Sequence, residues 1–169
     1  MRYETLNKKQ KEKLDNFFKD KYGLELKGQI LKQSQEKLRI FTGNLSEHEL
    51  AVLANTVRVE TIGIYLATID ENKETHEEDI RFSFDASFLA KKATKNIIEL
   101  DDEQVKDWFQ GNDLIFEKQS PSSDKLKLAS IDYPFVFLKY KDEIVGCGKL
   151  TSDKDKILNF VPKERRIKY

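Results

Sequence analysis

Cysteine occurs once in the 169 residues, as Cys147, and histidine twice, as His48 and His76. A lone thiol excludes an internal disulfide and a cysteine-based zinc site, which fits a reducing compartment. Each histidine stands without a partner at ligand spacing, so neither recommends itself as a metal ligand or a general base. Glycine is sparse and scattered, at 23, 28, 43, 63, 111, 146 and 148, which leaves no P-loop and no G-x-G-x-x-G turn to cradle a nucleotide. After Met1-Arg2-Tyr3-Glu4 the chain becomes lysine-rich, and no apolar run is long enough for a signal peptide or a membrane span. The expectation is a cytoplasmic protein with no membrane partner. Net charge is missing too: Lys+Arg and Asp+Glu are both 30, which argues against holding a polyanion through bulk charge. Any nucleic-acid site must be local.

What is present suits one or two small folded units. Hydrophobic residues make up 38% and charged residues 36%, a polar composition that can still bury a core. Asn7 can cap a helix to Tyr22 with Leu14, Phe17, Phe18 and Tyr22 on one stripe and Gly23 as terminator. Leu24-Glu25-Leu26 and Leu38-Arg39-Ile40-Phe41 read as strands around a polar turn. Ser46 and Glu49 form a capping box before a helix with Leu50, Val52, Leu53 and Ala54. The region 57–69 is strand-like, the acidic stretch 70–79 reads as a loop, and Ile80-Arg81-Phe82-Ser83-Phe84 alternates as its partner strand. Asp85 is the expected cap of a helix through Phe88 and Leu89, and the domain boundary falls near Asn96. Beyond it come a strand at 97–100 and a helix capped by Asp101 or Asp102, with Val105, Trp108 and Phe109 in register and Gly111 at its end. Strands follow at 114–116 and 126–129, separated by a turn at 120–124.

The C-terminal run is the most informative stretch. Phe135-Val136-Phe137-Leu138, Ile144-Val145-Gly146-Cys147-Gly148-Lys149-Leu150 and Ile157-Leu158-Asn159-Phe160-Val161 read as a hairpin and a third strand stopped by Pro162. Alternation puts Gly146 and Gly148 on one face, a strip of bare backbone that a packing element or a phosphate can approach. From Lys149 to the end there are seven bases against three acids: Lys149, Lys154, Lys156, Lys163, Arg165, Arg166 and Lys168. A glycine strip beside a cationic tail is a plausible seat for RNA phosphate.

Tyr133-Pro134-Phe135-Val136, the G-x-G-K of Gly146 to Lys149 and the N-x-x-P-K-x-x-R of Asn159 to Arg166 resemble the C-terminal RNA-binding domain of the Sun/Fmu-type rRNA cytosine methyltransferases. They look closer still to a stand-alone archaeal ribosome-biogenesis protein that carries this PUA-like domain without a methyltransferase. The resemblance is strong from 133 to 167 and weak from about 61. The first half is similar in general plan only to the α/β domain preceding the PUA domain of a large-subunit biogenesis factor. The resemblance implies an α+β protein: an N-terminal α/β domain at 1–96, then a PUA-like β pseudobarrel at 97–169. PUA domains often carry a glycine in the loop before the first helix, whereas this chain has Leu100-Asp101-Asp102-Glu103, which repels phosphate.

The remaining chemistry is meagre. Asp101, Asp102 and Glu103 are explained by the helix start they occupy. Cys147 reads as a small core residue, and Trp108 as core rather than as a base-stacking platform, since Val105 and Phe109 complete its stripe. The expected function is non-catalytic binding of rRNA or pre-rRNA in rRNA modification or ribosome biogenesis, with no cofactor. The RNA contacts expected are Gly146, Gly148, Lys149, Lys154, Lys156, Lys163, Arg165, Arg166 and Lys168. The alternative is an adaptor for an rRNA methyltransferase or a ribosome-assembly factor, without direct RNA contact. With no glycine-rich cofactor turn, calorimetric titration with S-adenosylmethionine should show no binding; clear saturation would overturn the non-catalytic expectation.

Overall fold

The structure is a computed structural model that describes residues 3–71, 78–116 and 128–168. Helix α1 (Lys8–Tyr22) begins at a capping box: the Asn7 side chain accepts from Gln10 N–H and the Gln10 side chain accepts from Asn7 N–H. It ends at Gly23, whose φ of 60° places it in the left-handed region. Gly23 N–H bonds to Lys19 O, the αL closure, and Leu24 N–H reaches back to Phe18 O. That closure is why the expected strand at 24–26 does not form. The apolar alternation of Leu24 and Leu26 serves the helix end, and the strand lies later, as β2 (Gln29–Lys32).

The first sheet runs in chain order, β1 (Glu4–Thr5), β2, β3 (Lys37–Phe41), β4 (Ile64–Glu71) and β5 (Glu78–Phe82), every pair antiparallel. Its strands carry apolar residues on both faces. Ile30, Leu38, Ile40, Leu66 and Phe82 join Leu14, Phe18 and Tyr22 of α1 in the main core, while Leu31 meets Leu50 of helix α2 (Glu47–Thr56) on the other side. Asp70, Glu71, Glu78 and Asp79 belong to the paired ends of β4 and β5 rather than to a loop; residues 72–77, with His76, lie outside the described residues. The expected helix after Asp85 is a short 3-10 turn, Ser87–Lys92, without a side-chain cap. The Ser83 hydroxyl already accepts from Ala86 N–H at 3.1 Å, so Asp85 is not needed as a cap.

The second sheet has the order β6 (Ile97–Glu99), β8 (Phe135–Tyr140), β9 (Glu143–Leu150), β10 (Lys156–Leu158) and β7 (Leu114–Ile115), parallel only at β6 and β8. Leu128 and Ala129, expected in a strand, lie in a short helical turn instead; Leu126, Lys127 and the turn at 120–124 lie outside the described residues. Helix α3 (Asp102–Gln110) is capped by Asp101, closed by Gly111 at φ 89°, and packs Val105 and Trp108 over the sheet. Phe135 to Leu138 are buried in succession because β8 is covered on both faces. Val136 and Leu138 face α3, whereas Phe135 and Phe137 face the first sheet.

The two sheets therefore meet in one apolar core. Tyr22 is fully buried, its ring 4.5 Å from that of Phe137, and its hydroxyl donates to Phe135 O at 3.1 Å. In the opposite sense, Ile80 N–H on edge strand β5 donates to the Tyr133 hydroxyl at 2.8 Å. Asn96, placed by sequence at a boundary, is a buried node. With φ 52°, its amide donates to Lys21 O and to Asp132 Oδ1, both at 2.8 Å. Phe137→Ala should cost roughly 3–5 kcal/mol. Trp108 fluorescence and far-UV circular dichroism should report one shared unfolding transition; separated midpoints would show that the seam does not couple the sheets.

Candidate nucleic-acid interface

The bare strip of β9 is occupied from within the protein. Trp108 has no exposed surface, and its Nε1–H donates to Val145 O at 3.0 Å. A Cβ at Gly146, whose φ is 153°, would lie 2.9 Å from Trp108 Nε1, and one at Gly148 would overlap the Ile157 side chain. The glycines let the edge of the indole approach the strand backbone. Both are buried, so the expectation that Gly146 and Gly148 meet RNA is corrected: the element that comes close is Trp108.

The N-x-x-P-K-x-x-R motif is likewise largely structural. Asn159 Nδ2 donates to Trp108 O at 2.8 Å and to Asn112 O at 2.9 Å, while its Oδ1 accepts from Val161 N–H at 2.8 Å. Its own N–H donates to Asp113 Oδ1. The amide thus bridges the end of α3 and the turn after it, giving Trp108 O a second donor beside Gly111 N–H. Downstream, Ile167 N–H bonds to Phe109 O at 2.9 Å, Arg166 Nε–H donates to Val161 O at 3.1 Å, and the Arg166 side chain covers Gly111. Helix α3 has no base in its last turn, and Arg166 brings a positive charge to that negative end. The tail beyond Pro162 is docked, with Lys163–Arg165 forming a 3-10 turn.

The expected RNA-facing cations divide accordingly. Lys154 turns inward: Nζ donates to Leu128 O at 3.2 Å, Ala129 O at 3.4 Å and Ile131 O at 2.9 Å. Lys156 pairs with Asp113 at 3.2 Å. Arg165 pairs with Asp85 at 3.3 Å, a pair open to solvent and of small energetic weight. Lys149 Nζ lies 5.5 Å from the centre of the Phe135 ring. Lys163 and Lys168 are exposed and pair with no acid among the described residues. The residue missed by sequence is Arg81, whose guanidinium lies 4.6 Å from the centre of the Phe160 ring. A lone arginine between Ile80 and Phe82 was the available signal.

Little else offers chemistry. Asp102 accepts from the Tyr140 hydroxyl at 2.8 Å, and Asp101 holds the N–H groups of Glu103 and Gln104, so the acidic loop is committed to its helix. Beside it lies a cleft of about 280 Å³ lined by Ile98, Glu99, Leu100, Asp101, Gln104, Phe116 and Leu128. Burial pushes the Cys147 thiol up to about 12, which leaves essentially no thiolate near neutrality. Among the described residues no group of three or more His, Cys, Asp or Glu side chains is placed to hold a metal, and no helix is long and apolar enough to cross a membrane.

Comparison with known proteins matches residues 95–167 to the family model described as the methyltransferase RsmF PUA domain. Among curated proteins, the ribosomal RNA small subunit methyltransferase F of Vibrio vulnificus (strain YJ016) is 27% identical over 121 residues, 71% of this chain and 21% of that protein. Its namesake from Vibrio cholerae serotype O1 (strain M66-2) is 28% identical over 116 residues, 68% of this chain and 20% of that protein. These relatives are bacterial, and the chain spans about a fifth of their length. Both matches are longer than the stretch from 95 to the C-terminus, so they take in part of the first sheet. Residues 95–167 are a PUA-like domain resembling the C-terminal domain of the Sun/Fmu-type enzymes, within an α+β chain.

If the glycine strip is a seat for Trp108, Gly148→Val should act on folding. Overpacking against Ile157 should cost about 1–3 kcal/mol, read as a lower denaturation midpoint and altered Trp108 emission. A variant of wild-type stability would refute the packing role.

Proposed function

We propose that this protein is a non-catalytic RNA-binding protein that acts on rRNA in its modification or in ribosome assembly. In this reading residues 97–169 form the binding domain and 1–96 brace it. RNA phosphates are contacted by Lys149, Lys163, Arg165 and Lys168. The observation that carries the reading is the match of residues 95–167 to the PUA domain of an rRNA methyltransferase family, joined to a docked tail that holds Lys163 and Arg165 exposed. Non-catalytic action is supported by the lack of a glycine-rich cofactor turn in the sequence. Lys154 and Arg166, though basic, serve the fold in this reading, because Lys154 Nζ and Arg166 Nε donate to backbone carbonyls.

A second reading, docking on a protein partner, is favoured by α2. Leu45, Val52, Leu53 and Val57 are exposed along and beside it, Val52 and Val57 by half or more. Salt separates the two readings, since phosphate neutralisation releases counterions and docking of apolar side chains does not.

Replacing Lys163 and Arg165 together by alanine should weaken binding to an rRNA stem-loop about equally across sequences. The slope of log K against log salt should flatten by up to about two units, as expected for phosphate contacts. Arg166→Ala, in contrast, should lower the melting temperature. Unchanged affinity and salt slope in the Lys163/Arg165 double variant would remove the tail from the site.

A further inference from the structure

The seam between the sheets carries a feature that the PUA domain alone does not contain. Arg81 comes from β5 of the first sheet, yet its guanidinium lies on Phe160 of the C-terminal segment at 4.6 Å. Phe160 in turn packs against Phe135 with ring centres 6.3 Å apart, and Lys149 Nζ lies over Phe135. Lys163 follows Phe160 by three positions. A pair of aromatic rings at the rim of the shared core thus holds an arginine from one sheet and a lysine from the other, beside an exposed lysine of the tail.

We propose that RNA crosses this seam and that Arg81 is a phosphate ligand supplied by the first sheet. The inference rests on the RNA-binding reading above. Arg81 is held before any ligand arrives. Its face is stacked on Phe160, Nη2 donates to Thr68 Oγ1 at 3.4 Å, and Nε stands 3.5 Å from Asp70 Oδ2. Stacking and a planar fork suit a guanidinium to phosphate oxygens, and little side-chain freedom remains to be lost on binding. The Arg81 side chain is 30% exposed, so it is not sealed in the core. Asp70 is the competitor. Its pair with Arg81 is half in solvent and holds weakly, so phosphate can displace it. Asp85 stands in the same relation to Arg165 one turn of chain further on. The two acids keep the basic residues placed while the ligand is absent and weaken the attraction of the seam for small anions.

The test uses the whole chain and a fluorescein-labelled rRNA stem-loop with single-stranded flanks, titrated by anisotropy from about 50 to 200 mM salt. Arg81→Gln should weaken binding about five- to tenfold and reduce the salt slope by roughly 0.7–0.9, one phosphate's share. Asp70→Asn, which removes the competing carboxylate, should tighten binding about two- to threefold on the same reasoning. Arg81→Lys should keep the slope and lose part of the affinity. Weaker binding by Arg81→Gln with a lowered melting temperature but an unaltered slope would make Arg81 a brace and overturn the proposal. So would full affinity in a folded Arg81→Gln protein while the Lys163/Arg165 double variant is impaired; the RNA-binding reading would then stand without the seam. If neither variant responds, the RNA-binding reading itself falls.

Discussion

Two tyrosines that reach across the seam in opposite directions hold the architecture in register. Tyr22, at the end of α1, gives its hydroxyl proton to Phe135 O of the second sheet. Tyr133, just before β8, receives the N–H of Ile80 on the first. Tyr22 meets Phe17 edge-on, Phe18 in a stack and Phe137 at a tilt, and Tyr133 meets Phe17 and Tyr22 edge-on and Phe135 at a tilt, geometries that aromatic quadrupoles favour. The polar tips give this core direction, because a hydroxyl in an apolar interior must find its partner or lose about 1–3 kcal/mol. Burial pushes both phenols well above the ordinary tyrosine range, so they remain protonated donors at any physiological pH. The Tyr133 contact also closes part of the edge of β5, an edge that would otherwise be free to pair with another strand.

From that register follows the position of everything on the surface. With β5 held against the second sheet, Asp85 meets Arg165, Arg81 meets Phe160 and Phe84 packs edge-on against Phe109 of α3. The C-terminal segment lies in the angle between β5 and the end of α3, tied to the helix by Asn159 and by the N–H of Ile167. A tail with few apolar residues is thereby ordered by hydrogen bonds to carbonyls in the last turn of α3. Of the residues that make the chain recognisable, Asn159 and the Arg166 Nε–H serve this docking, whereas Lys163 of the same motif stays exposed.

Where sequence and structure agree, a local chemical device decided the matter. Asn7 with Gln10, Ser46 with Glu49 and Asp101 with Gln104 are helix starts whose caps need only three or four residues to be understood. The hairpin of β8 and β9 was equally legible, from a bulky run and a following alternation. Failures came where a second, distant element supplied the partner. Leu24 and Leu26 alternate like a strand but close a helix. Asp85 stands where a cap belongs, yet Ser83 had already taken the amide, and the carboxylate found Arg165 eighty residues along the chain. Gly146 and Gly148 were rightly read as a place of close approach. The visitor is an indole from a helix that only the folded chain brings near. Arg81 escaped notice because nothing local marks an arginine in an edge strand as the neighbour of Phe160.

The formal neutrality of the chain takes on a physical meaning in this arrangement. Were the acids spread evenly, the tail would face a potential near zero and attract no polyanion. Instead several are consumed in place: Asp101 at a helix start, Asp113 on Lys156 and on the N–H of Asn159, Asp70 on Arg81 and Asp85 on Arg165. The last two are solvent-facing pairs of little strength, the kind that an RNA phosphodiester, with the same single charge and pair of free oxygens as a carboxylate, can replace when counterion release from the polyanion favours it. Lys154, by contrast, is locked on three carbonyls and is unavailable to any ligand. In the proposed reading, what fits a basic residue here for RNA is therefore a weak existing partner, which separates Arg81 and Arg165 from Lys154.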